Sequence, residues 1–332
     1  MSVRRNPAAH VSAGCCWVLM MILQVLVCPK AAAQASHSET VSVSYVAIPF
    51  TAFDGKGKPI SNLQPRDVKL LVDGQPVRTD MFERAHDAQV SFTIVVDGSG
   101  SMALMGKIDA ARAAVRTLLN NRQPGDDFAL YVFDDRDANQ VVPFTRDVNR
   151  ILAELDRVRP FGKTAFFDAL SKMPERSRLG SNPSRAIILL TDGIDNASRL
   201  TRSDLARRLH GIAIPIYALG LREETIRPRK KGEKLQEELS DAELLDEIAR
   251  ITGGKVFIGT EPERLAGAVT ELSRDLRSQY LLGFTPTGRG EVKYRRISLQ
   301  VTRRARSVRV RAGYIGTEPP LAAAASSGGR KR

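Results

Sequence analysis

Five side chains in this sequence could together hold a hard cation: Asp97, Ser99 and Ser101 in VVDGSGSM, Thr164 in FGKTAFFDAL, and Asp192 in LLTDG. All are oxygen donors. Two carboxylates roughly neutralise a dication while hydroxyls add ligands without charge, which suits Mg²⁺, Mn²⁺ or Ca²⁺. In the first stretch the carboxylate and the two hydroxyls alternate with Gly98 and Gly100. Alternate side chains can then converge on one point while the glycines let the backbone turn tightly.

Positioning these groups requires elements that end at one edge. Short apolar runs at residues 92–96, 128–133, 186–191, 212–219 and 255–258 have the composition of buried parallel strands, and 140–144 reads as an edge strand. Helical periodicity fills the gaps at 107–121, 147–157, 164–177, 201–209, 241–251 and 261–277. The alternation predicts an α/β fold with a doubly wound, mainly parallel sheet. In such sheets ligands sit at the carboxyl ends of the strands. Asp97 and Asp192 end strands, and Thr164 starts a helix, so the five donors are expected on one rim.

The same loop admits other chemistry. Gly98, Gly100 and Ala103 satisfy G-x-G-x-x-A between a strand and a helix, which is the pattern of a nucleotide-binding oxidoreductase. Against that, Asp97 would point a carboxylate at the pyrophosphate. A metal-dependent phosphoryl hydrolase with Asp97 as nucleophile is the other alternative. It wants a second Asp where Ser99 stands. His10, His37 and His86 lie outside the α/β region, and His210 beside Gly211 reads as a charge at a helix end rather than a catalyst. No residue set for catalysis stands out, so the chain is read as a non-enzyme.

The flanking segments are β-patterned. Residues 41–53, 68–72 and 76–81 suggest strands, with Asp73-Gly74 as a hairpin turn. After residue 278, 280–284 and the alternating stretches around Ile297, Leu299, Val301 and Val308, Val310 suggest more. Neither end has strands enough for stability, so the two are expected to pair into a small antiparallel domain. The boundaries drawn are a signal peptide at 1–35, an N-terminal β unit at 36–88, the α/β domain at 89–278, C-terminal strands at 279–316 and a disordered tail at 317–332.

The export reading rests on Arg4 and Arg5, an uncharged apolar run over 15–28, and the small residues Ala31, Ala32, Ala33 and Ala35, with cleavage expected after Ala35. Cys15, Cys16 and Cys28 leave with that segment. A secreted or periplasmic location follows, with no stable membrane span after cleavage; the run is shorter than the roughly 20 residues a span wants. The net charge of +13 makes an acidic partner conceivable. Nucleic acid is not expected, because the basic stretch 293–311 carries the single aromatic Tyr294. The basic insertion 222–241, with Arg227, Arg229, Lys230 and Lys231, reads as a solvated loop on the same rim.

DGSGSM resembles the Asp-x-Ser-x-Ser signature of the metal-ion-dependent adhesion site in von Willebrand factor A domains. GKTAFFDAL is similar to the Thr loop of that site, LLTDG to its Asp loop, and EIARITGGKVF to the last helix and strand of such domains. The flanking YLLGFTP and RVRAGY resemble a bacterial group of exported proteins related to that family. The resemblance implies that Ser99 and Ser101 bind the ion directly, Thr164 directly or through water, and Asp97 and Asp192 largely through water. It also implies an open position filled by a Glu or Asp of a protein partner. Asp168, one turn after Thr164, reads as an exposed helix carboxylate, with a supporting role behind the ion's ligands as the alternative. Oligomeric state is not legible.

Overall fold

The computed structural model describes residues 45–85, 88–135, 137–222, 241–301 and 305–322. The chain begins with β1 (Val46–Phe53), β2 (Val68–Val72), β3 (Gln75–Pro76) and β4 (Met81–Arg84). Then come β5 (Val90–Asp97), α1 (Lys107–Asn120), β6 (Asp127–Phe133), β7 (Ala138–Thr145), α2 (Val148–Arg157) and α3 (Phe166–Ser177). They continue as β8 (Ser184–Thr191), α4 (Arg202–Leu209), β9 (Ile216–Gly220), α5 (Asp241–Thr252), β10 (Val256–Ile258) and α6 (Pro262–Leu276). The last strands are β11 (Tyr280–Phe284), β12 (Lys293–Val301), β13 (Ser307–Val310) and β14 (Gly313–Gly316).

Six strands form the central sheet in the order β10-β9-β8-β5-β6-β7. All neighbours run parallel except β7, which is antiparallel to β6. Every residue of β5 is buried, because helices cover both sheet faces. Apolar faces of α1, α2 and α6 pack on one side, and those of α3, α4 and α5 on the other. This is the doubly wound, mainly parallel sheet expected from the alternation of patterns. From β5 the chain leaves through α1 on one face, and from β8 through α4 on the opposite face. The two connections part, which opens a crevice at the carboxyl ends of those strands.

Gly253, with φ +82, ends α5 in the left-handed conformation. A Cβ on Gly254 would sit 1.9 Å from the Ile216 carbonyl oxygen, so only glycine lets the chain return beside β9. Pro215 precedes β9 and lacks an N–H, and the strand expected from residue 212 begins only at Ile216.

Both ends of the chain build the second, antiparallel layer. One four-stranded sheet runs β13-β1-β11-β4 and the other β14-β12-β2-β3. They enclose one apolar core that includes Ile48, Phe50, Leu70, Tyr280, Phe284 and Tyr314. Asp73 and Gly74, at φ 50 and 80, make the primed turn that joins β2 to β3.

Two expectations need correction here. Residues 76–81 are not one strand: β3 and β4 belong to different sheets, and the chain crosses between them. Residues 317–322, assigned to a disordered tail, are held by backbone bonds in place of apolar bulk. The Arg78 N–H donates to the Pro320 carbonyl at 2.8 Å and the Ala322 N–H to that of Pro76 at 2.9 Å. The signal segment and its cleavage point, His37, His86, residues 223–240 of the basic insertion and residues 323–332 lie outside the described residues.

The β layer is fastened to the α/β layer by polar contacts. Arg309 of β13 pairs with Asp275 of α6, which has no solvent exposure, and lies 4.7 Å over the Phe53 ring. Arg311 donates to the carbonyls of Gly211 at 2.9 Å and Ala47 at 3.0 Å, and burial lowers its pKa to about 10. His210, expected as a charge ending a helix, stacks on Tyr294 with ring centres 4.5 Å apart.

Candidate metal site

Asp97 is the last residue of β5 and is fully buried. Thr191, at the end of neighbouring β8, donates its hydroxyl to Asp97 Oδ2 at 2.6 Å, and the Ser99 N–H donates to Oδ1 at 2.9 Å. The carboxylate is therefore clamped from β8 and from the loop that follows β5. Burial is the largest influence on it and raises its pKa to about 6; the Thr191 and Ser99 hydrogen bonds oppose that, and the charge of Asp192 adds to it.

After Asp97 the loop runs against β6. A Cβ on Gly98 would meet Val132 Cγ1 at 2.8 Å, which is the close approach that requires glycine there. A short 3-10 turn at Gly100–Ala103 then brings Ser99 Oγ and Ser101 Oγ to 3.1 Å from each other. Two hydroxyls that close can face one ligand. The Gly100 N–H donates to the Gly162 carbonyl at 3.0 Å and the Phe161 N–H to the Gly98 carbonyl at 2.8 Å. The loop before α3 is thus laced to the serine loop through backbone alone.

Thr164 is buried, and its backbone is held by the loop after β8. Its N–H donates to Asn196 Oδ1 at 2.8 Å, and its carbonyl accepts from the Asn196 and Ala197 N–H groups at 3.0 Å. Its hydroxyl takes part in no hydrogen bond among the described residues. The first amides of α3 are capped from a distance: Asp195 Oδ1 accepts from Phe166 at 2.8 Å and Ser198 Oγ from Phe167 at 2.9 Å. Asp168 corrects an expectation. Rather than an exposed carboxylate, it is half-buried and accepts from the Arg199 and Leu200 N–H groups at 3.1 and 2.9 Å.

Asp192, also buried, accepts from Lys107 Nζ at 2.8 Å and from the Ile194 N–H at 3.4 Å. Sequence reasoning missed Lys107, Thr191, Asp195 and Asn196. A lysine at the first position of a helix was a usable signal, since a cation is disfavoured there unless an anion compensates. The other contacts span sequence distances that no local pattern encodes.

A divalent cation fits this donor set. The hydroxyls of Ser99 and Ser101 lie side by side, Thr164 brings a third hydroxyl, and each clamped carboxylate oxygen keeps a lone pair beyond the one bond it accepts. A buried carboxyl pushed toward its neutral form is also one that a nearby cation would return to the charged form. Among the described residues no three or more His, Cys, Asp or Glu side chains gather as a metal cage, so any ion here would rely on hydroxyls.

A family model described as von Willebrand factor type A domain matches residues 92–194. That segment is a von Willebrand factor type A domain. The match runs from within β5 to just past β8 and includes all three loops of the candidate site. In sequence, the chain is similar to the magnesium-chelatase 67 kDa subunit of Heliobacterium mobile, 34% identical over 134 residues, covering 39% of this chain and 20% of that protein. It is also 24% identical over 206 residues to an uncharacterized protein of Borreliella burgdorferi, covering 56% of this chain and 59% of that one. The chain thus spans between 20% and 59% of the length of these relatives. Among solved structures, a von Willebrand factor type A protein from Catenulispora acidiphila aligns with TM-score 0.44 at 16% identity, covering 83% of this chain and 74% of that one. An aerotolerance-related membrane protein from Bacteroides fragilis aligns with TM-score 0.42 at 20% identity, covering 56% and 98%.

No helix among the described residues is long and apolar enough to cross a membrane.

Proposed function

We propose that the type A domain is an exported protein-binding module that holds a divalent cation, Mg²⁺ first among candidates, at the carboxyl ends of β5 and β8. Ser99, Ser101 and Thr164 would hold the ion through their hydroxyls, and Asp97 and Asp192 would supply the balancing charge. The bound ion would leave a position for a Glu or Asp of a partner protein. The observation that carries this reading is the pair of serine hydroxyls 3.1 Å apart beside a buried, doubly clamped carboxylate. Such a carboxylate costs stability in a metal-free protein, and a cation would repay it.

The surroundings support a macromolecular partner. Leu104, Met105 and Phe161 are exposed on the loops that carry the donors, giving apolar surface beside a charged contact. A cleft of about 740 Å³ lined by Gly98, Val132, Asp134 and Phe161 adjoins them. Export rests on the composition of residues 1–35.

Isothermal calorimetry of the full chain with Mg²⁺ tests the ion, with Asp97→Ala, Ser99→Ala and Thr164→Ala as controls of verified fold. Binding heat in the wild type that disappears in the serine variant is expected; the same heat in every variant places the ion elsewhere and defeats the reading. Capture of partners with and without chelator tests the second half.

A further inference from the structure

Asp192 already has a cation. Lys107 Nζ lies 2.8 Å from Asp192 Oδ2, and the two side chains are only 13% and 2% exposed. An ion pair this sheltered is screened far less than one at the surface. The lysine is also brought there by an unusual approach: Met105 and Gly106 are both left-handed, at φ 53 and 69, and Lys107 is the next residue, the first of α1. Met105 is not a glycine, so its conformation carries strain. Gly106 supplies no side-chain cap, and the helix start repels a cation, so Lys107 owes its place to Asp192.

This geometry bears on the cation proposed above, and rests on that reading. With Lys107 in place the charge of Asp192 is cancelled, and an incoming dication would meet Asp97 as the one uncompensated carboxylate among the five donors. We propose that Lys107 is a tethered counter-ion that a divalent cation must displace from Asp192, so that metal binding and release of the ammonium are a single event. The rim then trades a monovalent internal cation for a divalent external one. Asp192 keeps a cationic partner in either state. The freed lysine, at the start of α1 just after exposed Leu104 and Met105, would give the loaded rim a different surface from the empty one.

The test uses the full chain with Mg²⁺ alone as the probe. Lys107→Met should bind Mg²⁺ at least about tenfold more tightly than wild type, while Lys107→Arg, which keeps the charge, should not. Independently, reductive methylation read by mass spectrometry should show Lys107 protected in chelator and several-fold more reactive in Mg²⁺. That rise should be absent in Ser99→Ala. Unchanged Lys107 reactivity in a wild type that binds Mg²⁺ overturns the displacement and leaves the metal site standing, as does equal or weaker binding by Lys107→Met. If neither wild type nor Lys107→Met binds Mg²⁺, the metal reading itself falls and this inference with it.

Discussion

Thr191 donates its hydroxyl proton to Asp97 across 2.6 Å, joining the ends of two adjacent parallel strands at a carboxylate with no solvent exposure. The Asp97 carboxyl titrates near 6 in the folded protein against an ordinary 3.8. An acid whose folded pKa is raised favours the protonated fold. Its contribution to stability is therefore full below about pH 4 and is lost as pH rises through about 6. Asp97→Asn should accordingly stabilise the chelator-treated protein at pH 8 by about 1–3 kcal/mol and leave it unchanged near pH 4. Urea denaturation at the two pH values measures the difference. A gain that is the same at both would show that the charge on Asp97 is not its source.

Asp195 holds the start of α3 without belonging to the expected ligand set. Its Oδ1 accepts from the Phe166 N–H at 2.8 Å and from the Ser198 hydroxyl at 2.5 Å. Removing it uncaps the helix next to Thr164. Asp195→Ala should cost about 1–2 kcal/mol in thermal or urea unfolding, the usual loss of a helix cap. It should also weaken Mg²⁺ binding severalfold although it touches no ion. Intact affinity together with reduced stability would mean that the position of Thr164 does not depend on this cap.

Arg309 and Asp275 join the two layers, and burial pushes the Asp275 carboxyl up while the guanidinium opposes it. Breaking such a pair strands a buried charge. Arg309→Met should destabilise by about 3–5 kcal/mol, and adding Asp275→Asn should recover much of the loss. A double-mutant cycle in urea gives the coupling directly. Simple additivity of the two substitutions would show that the pair does not fasten the layers.

Much of this architecture was legible because it is written in short-range patterns. The buried runs that became β5, β6 and β8 and the Asp73-Gly74 hairpin need only a few neighbouring residues to declare themselves. The positions of Asp97 at the end of β5, Asp192 just after β8 and Thr164 just before α3 were legible for the same reason. Contacts between distant residues were not. Thr191 finds Asp97 94 residues away, Lys107 finds Asp192 at a separation of 85, and Asp195 caps a helix that begins 29 residues earlier. Residues 317–322 are ordered by backbone bonds to β3 and its neighbour Arg78 that their composition does not announce. By itself, then, the sequence determined which elements form and which oxygen donors stand at strand ends and helix starts, because propensity and periodicity act locally. Only the tertiary structure decided that Thr191 clamps Asp97 and that a lysine occupies Asp192, because those partners are chosen by how the sheet and helices pack.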